Sequence, residues 1–111
     1  MNMDLQMPSG PDRRSKEAET KNTLTEYKLR LFVAGHSARA RTAILNLQEI
    51  CQEYIPDNYS LEVIDIYQQA SLARAEQIIA TPTLIIELPL PRQRLIGDLS
   101  KKRLLKTALG L

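Results

Sequence analysis

The sequence predicts one α/β domain, in the order βαβαββα, behind an N-terminal extension. Three observations carry this reading. Lys28-Leu29-Arg30-Leu31-Phe32-Val33-Ala34 starts in polar–apolar alternation and ends wholly apolar, as a strand entering a buried sheet does. Ala40, Ala43, Ile44, Leu47, Ile50, Cys51 and Tyr54 then form one helical stripe before a second β-rich run, Leu61-Glu62-Val63-Ile64-Asp65-Ile66. Pro82 stands directly in front of a third, and X-Pro bonds are the ones for which a cis isomer costs little. With 111 residues, 43% of them hydrophobic, the chain is sized for a single core.

Met1 to Glu26 carries Pro8-Ser9-Gly10-Pro11 and a mixed-charge run with few large apolar residues, so residues 1–26 are expected to be a flexible extension, with a short helix over Ser15 to Lys21 or an interaction role as the alternatives. The domain is assigned to residues 27–111. Gly35 ends the first strand, Ser37 is placed to cap the first helix, and Pro56-Asp57-Asn58 stops it. Strand, helix and strand within about 40 residues allow a right-handed parallel crossover. A shorter helix is expected over Ala70 to Ile79, with Leu72, Ala75, Ile78 and Ile79 inward, because Pro82 forces Thr81 out of the helical region. Thr83 to Leu88 and Arg92 to Ile96 flank the brief Pro89-Leu90-Pro91 break and are expected to pair antiparallel. Ser100 is expected to cap a last helix over Lys101 to Leu109, with Leu99 and Leu104 as a hydrophobic staple and Gly110 as its left-handed end.

This order, with a proline just before the third strand, is the pattern of a thioredoxin-like fold. The chemistry of that fold is missing. Gly35-His36-Ser37-Ala38 occupies the loop where a redox pair would sit, and thiol exchange needs a thiolate at that helix N-terminus. Cys51, the one cysteine, lies three turns downstream on the apolar stripe, which points to core packing and a cytosolic, reducing compartment. His36 and Ser37 are adjacent at a helix start without an orienting third group, so they make a poor base and nucleophile. Glu62 and Asp65, three apart in a strand, face opposite sides. None of the four glycines forms a phosphate loop, and no Cys/His cluster suggests a metal, so neither cofactor nor catalysis is expected. No apolar run approaches a membrane span. Net charge is only +2, but Glu87 to Leu111 holds six basic residues (Arg92, Arg94, Lys101, Lys102, Arg103, Lys106) against Glu87 and Asp98. No aromatic residue interleaves with these, which argues for a solvated face or an acidic protein partner over nucleic acid.

Leu31-Phe32-Val33-Ala34-Gly35, Val63-Ile64-Asp65-Ile66, Ile79-Ala80-Thr81-Pro82-Thr83-Leu84 and Leu95-Ile96-Gly97-Asp98-Leu99-Ser100 together resemble the KaiB family, in order and spacing, from about Tyr27 to Leu109. The resemblance implies a non-enzymatic regulator that docks on KaiC, a hexameric RecA-like ATPase with kinase and phosphatase activities, and competes there with the sensor kinase SasA. It further implies a metamorphic chain, with a tetrameric resting form rearranged in its C-terminal half and a monomeric thioredoxin-like form that binds. By the same resemblance Thr81-Pro82 is expected cis, Pro82, Pro89 and Pro91 are conformational positions, and the contact surface spans the second helix, the Pro82 region and the last helix, with Gln77, Lys106, Ala108 and Gly110 as contact positions. Three departures stand out: Leu90 interrupts the family's proline run, Gln77 stands for a lysine, and Ala108-Leu109-Gly110 stands for Gly-Leu-Asp. Alanine for glycine favours a helix by up to about 1 kcal/mol, so the thioredoxin-like state is expected to be the more populated here. The competing readings are a thioredoxin-like protein with a different protein-binding role outside any oscillator, a thioredoxin-class enzyme using Ser37 or Cys51, and a nucleic-acid module using the C-terminal basic set.

Overall fold

The structure, a computed structural model, describes residues 25–111. The expectations for the extension therefore lie almost wholly outside the described residues. The seven elements are β1 (Tyr27–Val33), α1 (Ala38–Tyr54), β2 (Tyr59–Asp65), α2 (Ala70–Ala75), β3 (Thr83–Leu88), β4 (Gln93–Ile96) and α3 (Lys102–Leu109), the βαβαββα order expected.

β1 is the hub of one four-stranded sheet in the order β2-β1-β3-β4. It pairs parallel with β2, Phe32 opposite Ile64, and antiparallel with β3, Phe32 opposite Thr83; β3 and β4 close the sheet antiparallel. Because β1 is interior, both of its faces need cover, which explains why its alternation gives way to Leu31-Phe32-Val33. On one face Leu29, Leu31, Val33, Leu84 and Ile86 meet Ala40, Ala43, Leu47, Ile50 and Cys51 of α1 and Leu105 and Leu109 of α3. On the other, Phe32, Ile64 and Ile85 are covered by Ile66, Leu72 and Ile78 around α2. The two-sided sheet places α2 on the layer opposite α1 and α3.

Ser37 caps α1 as expected, its Oγ accepting from Ala40 N–H at 3.1 Å. Gly110 ends α3 with φ 75°, and the Gly110 and Leu111 N–H groups donate back to Thr107 and Lys106 carbonyls, the double closure of a Schellman motif.

Two expected elements differ. The last helix starts at Lys102 with Lys101 in the cap position and no side-chain cap bond. Asp98 Oδ1 accepts the Ser100 N–H at 2.9 Å, a local turn that holds Ser100 outside the helix. Leu105 consequently takes the inward place, and Leu104 is half exposed, so the Leu99–Leu104 staple is not made. α2 stops at Ala75 instead of Ile79; Ala75 and Ile79 are exposed, while Leu72 and Ile78 do pack inward. The cause is the turn described next.

Candidate partner-docking surface

α2 is closed by Gln77, the one described non-glycine residue with positive φ, at 56°. Its N–H donates to Arg74 O and the Ile78 N–H to Ala73 O, both at 3.0 Å, so the helix ends in the same Schellman closure as α3. In α3 that left-handed position is a glycine; here it is a glutamine, a conformation that costs an L-residue roughly 1–2 kcal/mol. β4 supplies the compensation. Arg94 reaches over from the sheet and donates to Glu76 O at 2.6 Å and to Gln77 O at 3.2 Å, holding the carbonyls that the terminated helix leaves free.

Beneath the turn lies a charge cluster. Glu76 and Glu87 are each bridged by the same two arginines. Arg30 Nη1 donates to Glu76 at 2.7 Å and Glu87 at 3.1 Å, while Arg92 donates to Glu87 from Nε at 2.8 Å and to Glu76 from Nη2 at 2.8 Å. Arg30 also lies 5.3 Å from the centroid of the Phe32 ring. The Arg92 hydrogen bonds, then those of Arg30, hold the Glu87 carboxyl down to about 2 and Glu76 below its ordinary value; burial works against both. The cluster ties α2 to β1, β3 and the start of β4.

The turn then delivers Ile79 to the surface, 86% exposed, beside an open concavity formed with Ala73, Arg74, Gln77 and Ile78. Ile96 is placed on the same sheet face. It pairs with Thr83, whose hydroxyl donates to Ala80 O, and it is half exposed. The result is an apolar knob, Ile79, next to the exposed Arg74.

The other expected site positions are divided. Thr81-Pro82 is cis, as expected, and so are Leu88-Pro89 and Leu90-Pro91. Pro82 is buried and lines a cleft of about 150 Å³ with Arg39, Thr42, Asp98 and Leu99 at the start of α1. Lys106, Ala108 and Gly110 stand on the opposite layer from Gln77. Lys106 donates to Tyr54 Oη at 2.7 Å, Ala108 packs on the larger core, and Gly110 ends the helix. Arg30, Glu76 and the clamp by Arg94 were not marked by the sequence. Glu87 and Arg92 flanking a tight turn offered the one local signal of a pair.

Two expected chemical groups are used structurally. The Ser37 oxygen caps α1, and Cys51 is buried, its thiol pushed up to about 11 by desolvation. Cys51 is expected to resist alkylation in the native protein at pH 8 and to react freely in denaturant, a contrast that a timed thiol titration reads. Among the described residues no group of three or more His, Cys, Asp or Glu could hold a metal, and no helix is long and apolar enough to cross a membrane.

The mixed sheet, helices on both faces and a proline directly before β3 define a thioredoxin-like domain without thioredoxin's cysteines. Solved structures agree on that fold. The N-terminal domain of SasA from Synechococcus elongatus matches with a TM-score of 0.64 at 23% identity, over 89% of this chain and 90% of that one. The Drosophila thioredoxin Deadhead matches with 0.64 at 12% identity, over 80% and 83%. The family is narrower. The KaiB domain model matches residues 30–111. The circadian clock protein KaiB3 of Synechocystis is 48% identical over 83 residues, 75% of this chain and 79% of its own length. The circadian clock oscillator protein KaiB of Prochlorococcus marinus is 42% identical over 85 residues, 77% and 79%. The chain belongs to the KaiB family.

Proposed function

We propose that this protein is a non-enzymatic regulator that docks on a KaiC-type hexameric ATPase and modulates its phosphorylation cycle. The observation that carries the reading is the junction of family and surface. The KaiB domain model covers residues 30–111, and the most exposed large apolar side chain there, Ile79, sits just beyond the end of α2, where the family resemblance puts the contact. The occupant is a protein face offering an apolar recess with acidic groups around it, complementary to Ile79, Ile78 and Arg74. Gln77 lies in this contact. Pro82 positions the strand behind it, and Lys106, Ala108 and Gly110 act from the far layer by keeping α3 on the core.

The shared fold of the SasA N-terminal domain supports competition between the two for one partner surface. The thioredoxin-like arrangement is the docking form, and a self-associated form with a rearranged C-terminal half is its reserve. The compartment is the cytoplasm.

The test is size-exclusion chromatography of the purified protein with a KaiC-type hexamer from the same genome, with phosphorylation of the hexamer followed in parallel. Co-elution is expected for the wild type, and Ile79→Asp is expected to weaken binding by about a hundredfold, since a charge would replace a desolvated apolar anchor. Absence of a complex after hours at tens of micromolar would sink the proposal.

A further inference from the structure

The geometry points to Arg94 as a positioning residue for docking: its guanidinium holds the Glu76 and Gln77 carbonyls, and so keeps the left-handed turn that exposes Ile79. The docking half of this inference rests on the function proposed above; the clamp itself is a property of the free protein.

Three observations meet at the turn. Gln77 has φ 56° where α3 uses a glycine at φ 75°, so side-chain identity does not favour this closure. Arg94 places two nitrogens of one rigid fork on consecutive carbonyls, Nη2 on Glu76 O at 2.6 Å and Nη1 on Gln77 O at 3.2 Å. The backbone from which the fork extends is fixed, because Arg94 stands opposite Ile85 in the β3–β4 pairing and Ile85 is fully buried. Its charge is set against Glu76 Oε1 at 3.9 Å, and that carboxylate is already engaged by Arg30 and Arg92. β4 thereby reaches across the sheet to set the backbone path of residues 76–79. The side chain of Arg94 is directed onto the turn, whereas Ile79, two residues beyond the clamped Gln77 carbonyl, is directed to solvent.

Glycine at position 77 would adopt the turn without help, so the role of Arg94 can be separated from a simple contribution to folding. In Arg94→Met the Gln77 and Ile78 amides, which form the Schellman closure, are expected to exchange about tenfold faster relative to the β1 amides. Adding Gln77→Gly is expected to restore their protection, because the left-handed conformation is then intrinsic. Arg94→Lys, one donor group in place of a fork, is expected to fall between. In binding to the KaiC-type hexamer, Arg94→Met is expected to raise Kd about tenfold in the wild-type background and by less than about threefold in the Gln77→Gly background.

Unchanged exchange at Gln77 and Ile78 in Arg94→Met would overturn the clamp. An equal loss of binding in both backgrounds would overturn the positioning role, since Arg94 would then be touching the partner directly. Absence of binding by the wild type would overturn the proposed function and the docking half together, while the exchange cycle, run on the free protein, would still decide the clamp.

Discussion

Phe32→Ala is expected to lower the unfolding free energy by about 3–5 kcal/mol, the loss seen when a fully buried aromatic side chain is truncated. Phe32 is 0% exposed, near the C-terminal end of the hub strand, and its smaller core holds two other buried residues, Ile64 and Ile85. So small a cluster has few side chains able to collapse into the space. The ring also carries Arg30 at 5.3 Å, so truncation removes the surface against which that guanidinium is held. The consequence should be local as well as global. α2 is six residues long and anchored on this face through Leu72, Ala73 and Ile78. A helix that short has no stability of its own in water. The amides of Ala73 and Glu76, bonded to Gln69 and Leu72 carbonyls, should therefore lose protection before those of β1 or α1. Phe32→Leu, which refills most of the volume, should cost less than about 1.5 kcal/mol. Hydrogen exchange with a urea titration reads both effects; uniform acceleration of all amides would show α2 to be fully coupled to the rest.

The strands and the first helix were legible because their signals are local and repeat. β1 announces its two-sided burial in the change from alternation to Leu31-Phe32-Val33, and helix-end chemistry is written in the hydroxyl of Ser37 and in the missing Cβ of Gly110. The end of α2 was hidden for the opposite reason. Glu76-Gln77-Ile78 contains neither glycine nor asparagine, so nothing local marks a left-handed residue, and the groups that stabilise it arrive from position 94. The same distance hid the charge cluster. Arg30 reads as an outward residue of an alternating strand, and Arg92 and Arg94 read as part of a basic C-terminal end, yet the fold sets all three against Glu76, and Arg30 and Arg92 against Glu87 as well. The basic set free of these two carboxylates thus narrows to Lys101, Lys102, Arg103 and Lys106, of which Lys102 pairs with Glu49. Ser100 misled for a subtler reason: its backbone is claimed by Asp98 first, and a cap residue needs its backbone at the helix entrance.

That cluster should make the domain acid-sensitive in a definite window. A carboxylate whose folded pKa is depressed contributes stability that is present above its unfolded value and lost as pH falls through the folded one. Glu87 drops from an ordinary 4.5 to about 2, and Glu76 moves the same way, in both cases through the arginine hydrogen bonds. The folded state therefore binds fewer protons than the unfolded chain between about pH 5 and pH 2, and acid should destabilise it across that interval. Each pKa unit corresponds to 1.36 kcal/mol, but partial solvent access screens the cluster, so its share is about 1–3 kcal/mol. Glu87→Gln should forfeit most of that amount at pH 7, because Arg30, with a side chain only 15% exposed, loses one of its two closest carboxylates. The variant should also lose less stability than the wild type on acidification, so the two curves converge toward pH 2. Urea midpoints at one-unit steps from pH 7 to pH 2 in both proteins would check this, the difference curve removing the contribution of the other acids. Parallel curves would mean that Glu87 titrates alike in the folded and unfolded chain, and that the bridge to Arg92 and Arg30 gives the fold nothing.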